Sequence, residues 1–241
     1  MHTKYLLIIS VAFLFSACAS LPVFRTSSLE QNKYFDSGRE VVSKENSKIK
    51  ILLNFENQSG ADLVFYLTIY NKSDESLLID PSIIYAEIKE ALYPEKINRK
   101  IFAINPEVEI EQIDKEINKT NADESLKRGI FVLGSFANLA ESIATIGKDK
   151  TDSQIEEENR TREDLQNSIE NDKTAYKEKM NSLDQQKNYW ENNVFRKTTL
   201  RSKENISGYF HIPVNSDIML FNLIIPVGND KFEFRYKLFT K

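Results

Sequence analysis

Lys231-Phe232-Glu233-Phe234-Arg235-Tyr236-Lys237-Leu238-Phe239 alternates without a break: Phe232, Phe234, Tyr236 and Leu238 on one side, Glu233, Arg235 and Lys237 on the other. A period of two with one apolar and one charged face is the pattern of a strand in a sheet buried on one side only, which antiparallel sheets allow. Gly228-Asn229-Asp230 before it is a tight-turn sequence, and the apolar run Ile218 to Val227 lies beyond that turn, so the chain closes on a hairpin. Ile206 to Ile212 is a third strand, separated from the hairpin by Pro213 to Ser216.

The same grammar holds in the first half. Ile49, Ile51, Leu53 and Phe55 alternate with Lys48, Lys50, Leu52 and Asn54, Asn57 to Gly60 supplies a turn, and Leu63 to Tyr70 returns as a β-branched and aromatic run. Leu77 to Ile79 stops at Asp80-Pro81 before Ile83 to Ile88 resumes; proline cannot donate to a ladder, so Pro81 marks an edge, a bulge or a crossing between sheets. Seven or eight short strands over about 110 residues suit a two-sheet sandwich. Their alternation, turn spacing and closing hairpin resemble the Ig-like sandwiches of small bacterial lipoproteins, a likeness of architecture that carries no site.

Between the strand blocks the period changes to that of helices. Asn105-Pro106-Glu107 reads as a cap, a first-turn proline and an acid facing the helix dipole, followed by Ile110, Ile113 and Ile117 on one face. A second helix is expected from about Ala122 to Ile146, with Leu126, Ile130, Leu133, Ala137, Ala140 and Ala144 beside Val132, Phe136, Leu139, Ile143 and Ile146. Apolar on most of its circumference, it is expected to be covered on two sides and to end at Gly147-Lys148. A third, from about Asp152 to Val194 with Ser153 and Glu156 as a capping box, is charged except for a seam at intervals of seven: Ile169, Tyr176, Leu183 and Trp190. The fold class is therefore α+β: an antiparallel Ig-like β-sandwich in residues 39–104 and 195–241, interrupted by a long α-helical hairpin in 105–194 that projects from one end.

Residues 1–17 have the form of an export signal: Lys4, an apolar run from Tyr5 to Phe15 too short to span a bilayer, then Ser16 and Ala17. Phe15-Ser16-Ala17-Cys18 resembles the lipobox of bacterial lipoproteins. That resemblance implies a diacylglycerol on the Cys18 sulfur, membrane anchoring by acyl chains and, with Ala19 following, placement in the outer membrane of a Gram-negative cell. Ala17-Cys18-Ala19 also satisfies the ordinary cleavage rule, which would discard the thiol; both readings export the chain. Polar, Ser-rich residues up to Gly38 read as a flexible tether, so that 18–38 is expected to join the anchor to the folded body.

Chemistry is sparse. Cys18 is the only cysteine, so no internal disulfide exists. His211 is the only histidine beyond the signal and lies in a strand, without the companions a zinc site or a nucleophilic pair requires. A formal charge of -4, spread along the chain, and only 7 glycines argue against a nucleic acid surface and phosphate-cradling loops. The expectation is a non-catalytic cell-envelope scaffold or adaptor without catalytic residues, metal or cofactor. It would meet another envelope protein through its helical hairpin, with Ile169, Tyr176, Leu183 and Trp190 as seam or contact residues. The alternatives are a carboxylate-dependent enzyme acting on cell wall or carbohydrate, and a conditional membrane inserter using Gly129 to Ile146.

Overall fold

The computed structural model describes residues 23–89, 99–144, 151–213 and 220–240. The signal, Cys18 and the helix-ending Gly147-Lys148 lie outside them, as do the side chains of residues 131–144. The chain is mixed α+β and divides into a β unit, residues 1–104 with 197–241, and a helical unit, residues 105–196.

Two antiparallel five-stranded sheets form the body of the β unit. One has the order β1 (Phe24–Ser28), β12 (Asp230–Thr240), β11 (Leu220–Val227), β7 (Tyr85–Lys89), β8 (Arg99–Phe102). The other has the order β10 (Asn205–Pro213), β5 (Asp62–Asn71), β4 (Ile49–Ser59), β3 (Arg39–Glu45), β2 (Lys33–Asp36). A short ladder joins β6 (Leu77–Ile79) to β9 (Thr198–Leu200).

The expected alternation of the last strand holds residue for residue: Phe232, Phe234, Tyr236 and Leu238 are buried, while Glu233, Arg235 and Lys237 are exposed. Its buried face meets the other sheet. Phe65 of β5 stacks on Phe210 of β10 at 5.5 Å and meets Tyr236 of β12 edge-on at 5.3 Å; Phe221 of β11 stacks on Tyr236 at 5.6 Å. Offset and edge-to-face rings of this kind add about 0.5–1.5 kcal/mol per pair beyond the area they bury. Facing sheets joined by such a layer form a sandwich-like body.

Pro81 performs the crossing that its chemistry suggested. The Asp80 carboxylate accepts from the Ser82 backbone N–H at 3.0 Å and from its hydroxyl at 2.6 Å, capping a 3-10 turn, Pro81–Ile83, between β6 and β7. Here the chain leaves the β6–β9 ladder for the sheet that holds β7.

Two expectations are corrected. Residues 24–28 and 33–36, expected within the tether, are strands. β1 adds to the free side of β12, pairing Phe24 with Thr240 and Ser28 with Tyr236, and β2 forms a hairpin with β3. β2 is exposed on both faces, so it carries no apolar–polar alternation to mark it as a strand, and positive φ at Ser37 (49°) and Gly38 (80°) makes the two-residue hairpin turn. Only residues 19–23 then separate Cys18 from the first strand.

The three expected helices are two. α1 (Pro106–Ala144) runs without interruption through Asn118-Lys119-Thr120-Asn121, where neither glycine nor proline stops it. α2 (Asp152–Asn192) starts at Asp152 as expected, but its cap is Thr151, two residues before the expected Ser153: the Thr151 backbone N–H donates to Gln154 Oε1 at 3.1 Å, while Glu156 is used in an ion pair with Arg160 at 2.7 Å.

Candidate functional site

The helical unit is held by polar contacts whose order along the chain defines its geometry. Lys187 meets Asp114 at 2.6 Å, Lys179 meets Glu116 at 2.6 Å, the Tyr176 hydroxyl donates to Asn121 Oδ1 at 2.7 Å, and Lys127 meets Asp172 at 3.3 Å. As residue numbers rise on α1 they fall on α2, so the helices run antiparallel. At their base, Arg196 forms a two-pronged pair with Glu107 (2.8 and 2.6 Å), beside the Asn105 side chain that accepts from the Glu107 backbone N–H at 3.1 Å. The guanidinium holds the Glu107 carboxyl below its usual range, and the hydrogen bond to Glu107 raises Arg196 in return.

Apolar burial within this unit is graded. Near the base, Ile110, Ile113, Leu183, Val194 and Phe195 are buried, Leu183 to 7% exposure. Tyr176, Met180 and Trp190 are half-buried, Trp190 with its ring 5.9 Å from that of Tyr189. Farther along α2, Ile155, Leu165 and Ile169 are exposed, and on α1 Leu126 and Ile130 are 65% and 63% exposed. At about 100° per residue, Ile155, Leu165, Ile169, Tyr176, Leu183 and Trp190 fall on one arc of about 100°. The seam is thus a single stripe, packed at one end and open at the other. Leu126 and Ile130 overturn the expectation of a helix covered on both sides, at least in its described first turns.

Of the four seam residues expected from sequence, Leu183 packs in the interior, Tyr176 and Trp190 are intermediate, and Ile169 lies at the open end. Leu126, Ile130, Ile155 and Leu165 were legible as apolar, but exposure is set by tertiary neighbours that residue identity does not record.

In the β unit an open groove of about 680 Å³ is lined by Glu30, Asn32, Ser43, Lys44, Glu45, Lys231, Phe232 and Glu233. The Lys44 ammonium meets Glu30 at 3.2 Å and donates to the Glu233 carbonyl. Burial alone would raise the Glu30 carboxyl, but the Arg235 backbone N–H at 3.0 Å and Lys44 outweigh it and hold the group below its ordinary value. Such a carboxylate is an ionised structural anchor near neutrality and not a proton donor.

His211 is buried, with Nδ1 3.6 Å from Asp62 Oδ2. Among the described residues no group of His, Cys, Asp and Glu has the arrangement of a metal site, and no helix is long and apolar enough to cross a membrane.

Comparison with protein-family models, curated proteins and solved structures finds no match.

Proposed function

We propose that this chain is a non-catalytic lipoprotein of the cell envelope, anchored by acyl chains on Cys18, and that its helices form an adaptor that takes up a helix of another envelope protein. The observation that carries this reading is the open half of the seam. Ile155, Leu165 and Ile169 continue a stripe that is buried at Leu183, and they themselves are exposed. A stripe repeating every seven residues fits another helix laid along it, because a- and d-type side chains enter holes between residues of the facing helix. Ion pairs within single helices, Glu124 with Arg128 and Glu156 with Arg160, belong to the same open half and supply the charged rim that such an interface needs.

The scaffold is read as an Ig-like sandwich with the helices inserted as a hairpin. Its support is the pair of facing antiparallel sheets and the position of both helices between β8 and β9 in the chain. The polar groove at Lys44 is part of this scaffold, since its charges are consumed in holding Glu30 and the β12 backbone.

The test is cross-linking in intact cells followed by purification, comparing the natural chain with an Ile130→Glu, Ile169→Glu double variant and with a chain lacking 105–194. Loss of the same partner from both altered chains is the expected result. Recovery of an unchanged set of proteins by the double variant would overturn the reading.

A further inference from the structure

The chain enters the β unit at an end marked by exposed aromatic side chains. The Phe24 backbone N–H donates to the Gln58 side chain at 2.5 Å, which fixes the entry beside the turn at Gly60. Through the ladder of β4, β3 and β2, Asn54 lies level with Val41 and Tyr34, and Phe35 is level with Glu40, one residue nearer that turn. The β2–β3 turn at Ser37 and Gly38 therefore belongs to the same end. So does Phe239, opposite Arg25 on the neighbouring sheet.

At this end Phe35 is 72% exposed, and Tyr34, Val23 and Phe239 are exposed beside it. Among the described residues β2 pairs only with β3, so a phenylalanine stands exposed on a sheet edge, an arrangement that invites aggregation unless something covers it.

The covalent path to Cys18 decides what that cover is. Six residue steps join Cys18 to Phe24, and at no more than about 3.6 Å each they reach about 22 Å. A lipid on Cys18 holds this end of the β unit within that distance of the bilayer, close to its interfacial layer, where aromatic rings are favoured and arginine reaches phosphates.

We propose that the β2–β3 hairpin is a membrane-contact element: Phe35 and Tyr34 enter the interfacial layer of the bilayer that carries the acylated Cys18, with Val23, Arg25 and Phe239 alongside. This rests on the lipid-anchor reading above. The anchor alone leaves the unit free to swivel; the aromatic edge fixes which end faces lipid and covers the free edge at the same time.

The experiment uses the full acylated chain in vesicles of phosphatidylethanolamine and phosphatidylglycerol containing a nitroxide-bearing phospholipid. A fluorophore is placed on Ser37→Cys, beside Phe35, or on Ser76→Cys, which is exposed in the turn after β5 at the opposite end of the sheet. Acylated Cys18 does not react with the label, and mass spectrometry of the N-terminal peptide reports the acyl chains independently. The expected result is several-fold stronger quenching at position 37 than at 76, with most of the difference removed by Phe35→Ser. Equal quenching at the two positions in acylated protein would overturn the contact and leave the anchor standing. A label at 37 shielded from solvent but not quenched by lipid would also overturn it, since a protein would then be the cover. An N-terminal peptide without acyl chains would remove the anchor reading and this contact together.

Discussion

Asn71 shows how much one buried amide can organise. It is 2% exposed at the end of β5; its nitrogen donates to the carbonyls of Glu75 (2.7 Å), Leu200 (3.2 Å) and Arg201 (3.0 Å), and its oxygen accepts from the Ser73 backbone N–H (3.0 Å) and hydroxyl (2.7 Å). One side chain thereby ties β5 to the turn before β6 and to β9. Asn71→Asp keeps the shape but sets a carboxylate against three carbonyl oxygens, and buried polar groups deprived of partners cost about 1–3 kcal/mol each. The expected outcome is a loss of at least about 2 kcal/mol in urea unfolding, whereas Lys72→Ala next door stays near the wild type. Glu30 sets a second residue-scale expectation. Its folded-state pKa is lowered, so its stabilisation is complete above the unfolded value, near pH 4.5, and is lost as pH falls through the folded value. Glu30→Gln therefore flattens the fall in urea midpoint as pH drops below the unfolded value; an unchanged slope would place the acid sensitivity elsewhere.

At the scale of elements, the helical pair divides into a packed base and an open remainder, and substitutions along one stripe report the division. Leu183→Ala removes a buried leucine and is expected to cost about 2–5 kcal/mol, while Ile169→Ala, on the same arc but at the open end, costs well under 1 kcal/mol. Comparable losses at both positions, measured on the 222 nm signal, would mean that the seam is covered along its whole length. The stripe itself was legible in the sequence, as were β4 and β12, because periods of seven and two are written in residue identity. Its exposed half was not, because exposure depends on neighbours that no pattern within α2 records. The same limit explains the tether. Lys33-Tyr34-Phe35-Asp36 shows no alternation of apolar and polar residues when read alone, yet its backbone pairs with Arg39 to Val42, and an edge strand exposed on both faces needs no single apolar side. The break expected between Ile117 and Ala122 is absent, because Asn118 to Asn121 hold neither proline nor glycine to interrupt the backbone hydrogen bonds of α1.

For the whole molecule, the division into units makes a claim about cooperativity. The β unit has its own aromatic layer, centred on Phe65, Phe210, Phe221 and Tyr236, between its two five-stranded sheets. The helical unit carries its own ties from Glu107–Arg196 at the base to Lys127–Asp172. Two bodies with separate cores unfold as separate transitions unless their interface is large. A chain in which 105–196 is replaced by a short Gly-Ser linker should therefore keep the near-ultraviolet circular dichroism of the buried rings and a cooperative melt. The natural chain should show a second transition visible mainly at 222 nm. Phe65→Ala, removing the ring that touches both sheets, is expected to cost about 3–5 kcal/mol in the long and the shortened chain alike. If the shortened chain instead loses its ring signals, the helices are needed to complete the β core. The seam could not then be a surface grafted on a self-sufficient scaffold, and the adaptor reading would lose the structural independence on which it depends.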